Sequence, residues 1–229
     1  IMRPQDIPEA IADGVIDMGI CGWDCVAEAG MDKTLTLITK LSYSKKSDKP
    51  VRVVIFGKSD SLIDEENILV TSEYPNLTKG FFTKAQIRFS HGSTEAKVAY
   101  GKYDYGVGVV ESGSSIEDNG LVILKELLES PTVLLARQMT PEAEYFGQLL
   151  QAGLKAVNYR LIKLDVNRQD KEKILAILPA IGTPTISLQA DGNYAMEAAV
   201  EKEKVVDLIF KLQSFGAKGI LVQDMNMLL

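Results

Sequence analysis

Ser112-Gly113-Ser114-Ser115 sets three hydroxyls around one glycine, directly after the β-rich run Val107–Val110 and before a helix start expected at Ile116. A turn of this kind aims successive backbone N–H groups and the positive end of a helix at one point, which is the chemistry of a phosphate cradle. The hydroxyls add donors for the same oxygens, and Gly113 lets the backbone approach closely. Ser/Gly loops also serve as plain strand-to-helix connections, so the surroundings must decide between the two readings. Other chemistries are easier to exclude. The lone histidine, His91, rules out a histidine-rich metal site and any Ser-His-Asp triad on a second histidine. Cys21 and Cys25 are the only cysteines, so there is no disulfide framework, and two soft ligands without partners make a poor metal site.

The elements that must hold such a loop follow from composition and period. The 229 residues are 46% hydrophobic and 24% charged, values of a soluble globular protein with room for two or three domains. A formal net charge of −6 gives no general electrostatic case for nucleic acid or a membrane surface, whereas a small phosphorylated ligand needs only a local anion site. No apolar run approaches the roughly 18 residues of a membrane helix and no secretory signal is visible, so a cytoplasmic location is the default. Ile1-Met2-Arg3-Pro4 is not a natural initiation sequence, which leads us to expect residues ahead of Ile1.

Along the chain, a short helix at Pro8–Ala12 precedes strand Val15–Cys21, a helix at Cys25–Gly30 and strand Leu35–Leu41. The polar stretch Ser42–Pro50 is the first candidate crossing between domains. Strands are expected at Val51–Phe56, Asn67–Thr71, Gln86–Phe89, Leu121–Leu128 and Pro131–Ala136, with helices at Leu77–Lys84 and Thr94–Tyr100. Pro141–Asn158 reads as a long amphipathic helix with Phe146, Leu149, Leu150, Leu154 and Val157 on one stripe. The last seventy residues follow the order βαββαβ, a ferredoxin-like module that either binds a regulator or mediates assembly.

Four further segments surround the loop: Arg3–Pro8 with Gly14, Asp17, Gly19 and Gly22-Trp23-Asp24; Thr71-Ser72-Glu73-Tyr74-Pro75-Asn76-Leu77-Thr78; Gly92-Ser93-Thr94-Glu95-Ala96; and Thr183-Pro184-Thr185 with Gly216–Val222. In this order and spacing the whole chain resembles the ATP phosphoribosyltransferases of histidine biosynthesis, in their long form with a C-terminal regulatory domain. The resemblance implies an α/β protein of three lobes. A bilobed, periplasmic-binding-protein-like (type II) catalytic part comprises lobe I, 1–40 and 125–158, and lobe II, 41–124. A ferredoxin-like domain, 159–229, follows. It also implies that ATP and phosphoribosyl pyrophosphate combine, with Mg²⁺, to give phosphoribosyl-ATP and pyrophosphate, and that L-histidine inhibits. A homo-oligomer, dimeric or hexameric, is implied too.

Carried onto this chain, the resemblance places the 5′-phosphate on Glu111, Ser112, Gly113, Ser114, Ser115 and Ile116. Asp104 becomes an acceptor for ribose hydroxyls, and Gly92, Ser93 and Glu95 line the same cleft. Asp17 and Gly22 shape its opposing wall, unless Asp17 is a turn residue. Ser72 and Thr78 are further candidates for substrate contact. No covalent nucleophile is implied, and the ligands of Mg²⁺ are left unassigned. The family has a second aspartate four residues after the first, where this chain has Gly108, and Glu111 is a candidate replacement. For histidine, Asp165 is the expected polar partner, Thr185 and Gly219 further polar contacts, and Ile181 and Ala199 the apolar wall. Asp165 alternatively caps the following helix. The family also carries a segment of roughly fifty residues ahead of the point where this sequence begins. Two rival readings are a bilobed solute-binding protein and a non-catalytic regulatory paralogue.

Overall fold

Strand β3 (Val51–Gly57) reads VRVVIFG, almost without polar interruption, because both of its faces are covered. The computed structural model describes residues 2–41, 50–58, 62 and 64–229, so all of the expected Ser42–Pro50 crossing except Pro50 lies outside the described residues. β3 sits inside a five-stranded sheet with β4 (Leu69–Ser72), β5 (Gln86–Phe89), β6 (Tyr105–Val110) and β7 (Val122–Ser130), in the order β5-β4-β6-β3-β7. β5, β4 and β6 run parallel, and β3 is antiparallel to both β6 and β7. Val53, Ile55, Val70, Phe82, Tyr105 and Val107 fill one face under helix α3 (Pro75–Phe81). Val54, Phe56, Val98, Ile116 and Leu121 fill the other, under α4 (Thr94–Ala99) and α5 (Ser114–Asp118).

A three-stranded antiparallel sheet forms the other lobe of the same compact unit, Ile1–Gly147. It runs β1 (Met18–Gly22), β8 (Thr132–Ala136), β2 (Thr36–Leu41), with α1 (Ile7–Ala12) and α2 (Trp23–Glu28) in the same lobe. Cys21 and Cys25 are buried there with Ile11, Val26, Val133 and Leu135, and Trp23 packs against them. Burial and the Cys21 contact push the Cys25 thiol up, the Cys21 hydrogen bond contributing most, which suits an inert core residue. The return to this lobe comes later than the expected 124/125 boundary. β7 keeps pairing with β3 as far as Ser130, because its charged residues Lys125, Glu126 and Glu129 sit on an edge strand that tolerates them.

Helix α6 (Pro141–Val157) forms where the period predicts it, but the buried stripe differs. Ala143, Ala152 and Ala156 are buried, whereas Phe146 is 41% and Val157 59% exposed. Small residues allow close approach: a Cβ on Gly147 would already stand 3.1 Å from Ile38 Cγ2. The sequence stripe picked out bulk, whereas the buried positions are small residues on two opposite sides of the helix, Ala143 with Gly147 and Ala152 with Ala156.

The second unit, Gln148–Leu229, contains an antiparallel sheet ordered β10 (Thr185–Leu188), β11 (Tyr194–Glu201), β9 (Tyr159–Val166), β12 (Lys218–Asp224). Helices α7 (Lys171–Ile177) and α8 (Val205–Ser214) complete the βαββαβ order. Alternation places Ile162, Leu164, Val166, Met196, Ala198 and Val200 in the core, with Ile174, Leu208 and Leu212. The molecule is thus α/β with a ferredoxin-like C-terminal module.

Candidate active site

β4 and β6 are parallel, so their carboxyl ends open on one side of the sheet, the side on which α/β sheets bind ligands. A cavity of about 770 Å³ lies there. Its lining takes in the whole expected loop, Glu111 to Ile116, together with Gly108 on β6 and Glu95 on α4. Gly113 adopts φ 89°, the left-handed conformation that glycine alone takes cheaply, and its turn starts α5. The Ser112 and Ser114 hydroxyls lie 3.0 Å apart, and the Ser114 N–H approaches Ser112 Oγ at 3.3 Å. Ser115 donates to Glu95 Oε1 at 2.7 Å, which ties the loop to α4.

Glu95 is aimed by the turn before it. Gly92 (φ 117°) and Ser93 (φ 53°) both take positive φ and bring the chain into α4. Neither is among the lining residues, so their part is to place Glu95. Around that turn the Lys97 ammonium donates to Ser90 Oγ at 2.7 Å and to the Gly92 carbonyl at 2.9 Å. Thr94 Oγ1 lies 2.9 Å from Ser90 Oγ and donates to Glu73 Oε1 at 2.7 Å.

Other expected residues are elsewhere. Asp104 precedes the amino end of β6, the end away from the loop, and its Oδ2 accepts from the Leu69 N–H at 2.8 Å. It closes the start of the β4–β6 pairing and does not line the cavity. Asp17 is exposed just before β1, outside the lining. Gly22 stands at the start of α2, where a side chain would collide with Asp24 Oδ1 and meet Ser130 Oγ at 3.2 Å. Ser72 and Thr78 are fully buried and bonded to each other at 2.7 Å, which rules them out as surface contacts. His91 is exposed, and its ring meets that of Phe89 edge-on with centroids 4.7 Å apart.

The joint between the lobes uses another pair of carboxylates. Asp24, 7% exposed, accepts from the Ser130 hydroxyl and, at 2.7 Å, from the Tyr74 hydroxyl. Its own N–H donates to Ser130 Oγ at 2.8 Å. Burial, and then the Asp24 charge, push the Tyr74 hydroxyl up, so it stays a donor. One helical turn on, Glu28 accepts from the Asn76 and Leu77 N–H groups at 2.8 and 2.9 Å and so caps α3 of the other lobe.

Sequence reasoning missed Glu73, Arg52 and Glu129 as lining residues. Glu73 stood inside a quoted motif as part of a turn. Arg52 and Glu129 are strand residues whose shared site exists only once β3 pairs with β7, at Arg52↔Glu129. Arg52 also pairs with Glu126 at 3.4 Å. Among the described lining residues, four carboxylates (Glu73, Glu95, Glu111, Glu129) face one guanidinium.

Comparison with known proteins gives the family. The HisG family model, ATP phosphoribosyltransferase, matches residues 3–157, and that of the HisG C-terminal domain matches 156–227. The chain belongs to the ATP phosphoribosyltransferase family. It is 34% identical to the ATP phosphoribosyltransferase of Nitratidesulfovibrio vulgaris (strain DSM 19637 / Miyazaki F), over 99% of this chain and 82% of that protein. It is 31% identical to ATP phosphoribosyltransferase 1 of Geobacter sulfurreducens, again over 99% and 82%. Among solved structures, the ATP phosphoribosyl transferase (HisG:HisZ) complex from Thermotoga maritima matches 60% of this chain and 67% of its own, with 26% identity and a TM-score of 0.54. The chain is accordingly an enzyme of the first step of histidine biosynthesis.

The HisG C-terminal region brings most of the expected regulatory residues onto one face. Asp165, Ala199 and Thr185 alternate with core residues and so share the sheet face opposite the helices. Asp165 caps no helix: its Oδ1 accepts from Gln189 Nε2 at 2.6 Å. Gly219 (φ 57°) presents bare backbone to it, since a Cβ there would stand 2.6 Å from Asp165 Oδ2. Ile181 donates its N–H to the Ala199 carbonyl at 2.9 Å.

Proposed function

We propose that the loop Glu111–Ile116 holds the 5′-phosphate of phosphoribosyl pyrophosphate while N1 of the ATP adenine attacks the ribose C1 and pyrophosphate leaves. The supporting observation is the cavity of about 770 Å³ at the carboxyl ends of parallel strands, lined by this hydroxyl-rich, positive-φ turn. Attack at such a carbon passes through a loose, cation-like transition state and needs no enzyme nucleophile. The protein's tasks are to align two polyanions and to support charge on the leaving group. Arg52 is the lining cation for that charge, and Ser115–Glu95 fixes the loop while it binds.

Mg²⁺ fits the cavity's chemistry. The lining is rich in oxygen donors, yet no group of three His, Cys, Asp or Glu among the described residues forms a metal cage. Mg²⁺ keeps several waters and favours one or two carboxylates plus substrate phosphates. Glu95 and Glu111 are the donors that would hold it beside the pyrophosphate, where it supplies charge neutralisation.

L-Histidine is the proposed inhibitor, bound at the exposed sheet face by Asp165, Thr185 and the Gly219 backbone. The Thermotoga maritima relative was solved as a HisG:HisZ complex, and a homo-oligomer, dimeric or hexameric, is the assembly we propose here. Among the described residues no helix is long and apolar enough to cross a membrane, and a cytoplasmic location is part of the same reading.

The test is formation of phosphoribosyl-ATP by the full-length protein from ATP, phosphoribosyl pyrophosphate and Mg²⁺, with and without histidine. Turnover that histidine suppresses in the wild type, and suppresses at least tenfold less well in Asp165→Asn, supports the reading. Binding of phosphoribosyl pyrophosphate without turnover identifies a non-catalytic paralogue instead.

A further inference from the structure

Two glycines interrupt β6, and only one of them is explained by packing. A side chain on Gly106 would collide with the Phe56 ring and press on Val98 at 3.0 Å, so the core demands glycine there. Gly108 has no such constraint. Its φ is not positive, and a Cβ would sit in ordinary contact, 3.6 Å from Glu73 Oε1 and 3.7 Å from Phe56 Cε1. A Cβ fits, yet the site is left bare, and the atom nearest to that position belongs to the carboxylate of Glu73. Both residues line the cavity.

Glu73 is held for a purpose that the fold does not use up. Its Oε1 accepts from Thr94; a carboxylate only accepts, so the Thr94 proton is committed to Glu73, while the Ser90 hydroxyl lies within reach of both Thr94 Oγ1 at 2.9 Å and the Gly92 carbonyl at 3.2 Å. Lys97 donates to Ser90, so a cluster of hydroxyls backed by an ammonium stands behind the Thr94 bond that orients the carboxylate. Oε2 accepts no hydrogen bond from the described residues. β6 rises about 3.3 Å per residue, so Gly108 lies ~10 Å before Glu111, on the order of the span of a phosphorylated pentose.

We infer that Glu73 is the acceptor for the pentose hydroxyls, and that bare Gly108 makes room for it. The inference rests on the loop Glu111–Ile116 holding the 5′-phosphate. It gives the sugar a carboxylate from the end of β4, where the resemblance placed one on β6 itself. Glu111 is the less suited replacement, because it belongs to the phosphate turn.

The experiment moves the charge. Binding of phosphoribosyl pyrophosphate, with Mg²⁺ and without ATP, is measured by calorimetry for wild type, E73Q, E73D, G108D and E73Q/G108D, alongside KM for both substrates. E73Q should weaken binding tenfold or more with KM for ATP unchanged, and E73D should fall between it and wild type. G108D sets a second carboxylate against Glu73 and should also weaken binding. E73Q/G108D restores one carboxylate and should return to within threefold of wild type. Wild-type affinity in E73Q, or a double variant no better than E73Q, overturns the inference and leaves the phosphate loop standing. Wild type that binds no phosphoribosyl pyrophosphate overturns the loop assignment itself, and the inference with it.

Discussion

Two carboxylates of the joint, Asp24 and Glu28, and two of the cavity, Glu73 and Glu95, are held in opposite ways. Asp24 and Glu28 each have both oxygens occupied, by Ser130 and Tyr74 in one case and by two backbone N–H groups in the other. Glu73 and Glu95 have one oxygen fixed by a hydroxyl, from Thr94 and Ser115, and Oε2 accepts nothing from the described residues. A saturated carboxylate can only hold the fold in place. One pinned at a single oxygen is oriented and still able to bind, which is the preorganisation a site needs. The number of committed oxygens therefore separates the two regions better than residue type does, since both use Asp or Glu beside Ser, Thr or Tyr.

That contrast breaks most readily at Asp24. Asp24→Ala strands the buried Ser130 hydroxyl and the half-buried Tyr74 hydroxyl and removes two interlobe bonds, a loss of about 3 kcal/mol. Thermal unfolding should then drop by roughly 6–12 °C; an unchanged Tm would show that the joint is not what couples the lobes. The cavity should answer on another axis. Ser112→Ala/Ser114→Ala removes two hydroxyl contacts to an anion, each worth about 1.5–3 kcal/mol, so KM for phosphoribosyl pyrophosphate should rise a hundredfold or more. Tm should stay within about 2 °C, because exposed loop hydroxyls contribute little to stability. A fall in Tm without a change in KM would make the loop a connection and nothing more.

Much of this was legible in the sequence, and the failures have physical causes. Hydrophobic period located the sheets, the helices and the βαββαβ module, since each has one face to bury. The Ser/Gly turn was legible because its chemistry lies in consecutive residues. Asp104 came from the resemblance, which matches a position in the chain and does not report which end of the sheet that position reaches; here its Oδ2 is taken by the Leu69 N–H. Glu73, Arg52 and Glu129 were invisible because strand pairing brings them together from positions 73, 52 and 129. In α6 the large residues drew the eye, while the small residues Ala143, Ala152 and Ala156 are the ones buried.

Smaller effects sharpen the same contrast. Glu28→Ala strips a helix cap and should cost about 1 kcal/mol, a Tm shift of roughly 2–4 °C, with both KM values unchanged.

Asp64 tests whether saturation, and not burial, marks a structural carboxylate. It is only half-buried, yet Oδ1 accepts from the Lys84 and Ala85 N–H groups and Oδ2 from the Thr83 N–H and hydroxyl. Desolvation raises its pKa, but the donors from Thr83, Lys84 and Ala85 outweigh that and bring it from 3.8 down to about 2. The folded carboxylate therefore holds its proton less tightly than the unfolded one. Its contribution is fully present above about pH 4 and is lost as the pH falls through about 2. Asp64→Asn has no carboxylate to titrate, so its Tm should fall less steeply than that of wild type between those two values. Parallel acid limbs in the two proteins would mean that four well-made hydrogen bonds on a half-buried carboxylate leave stability unmoved, and that full burial is what gives Asp24 its hold.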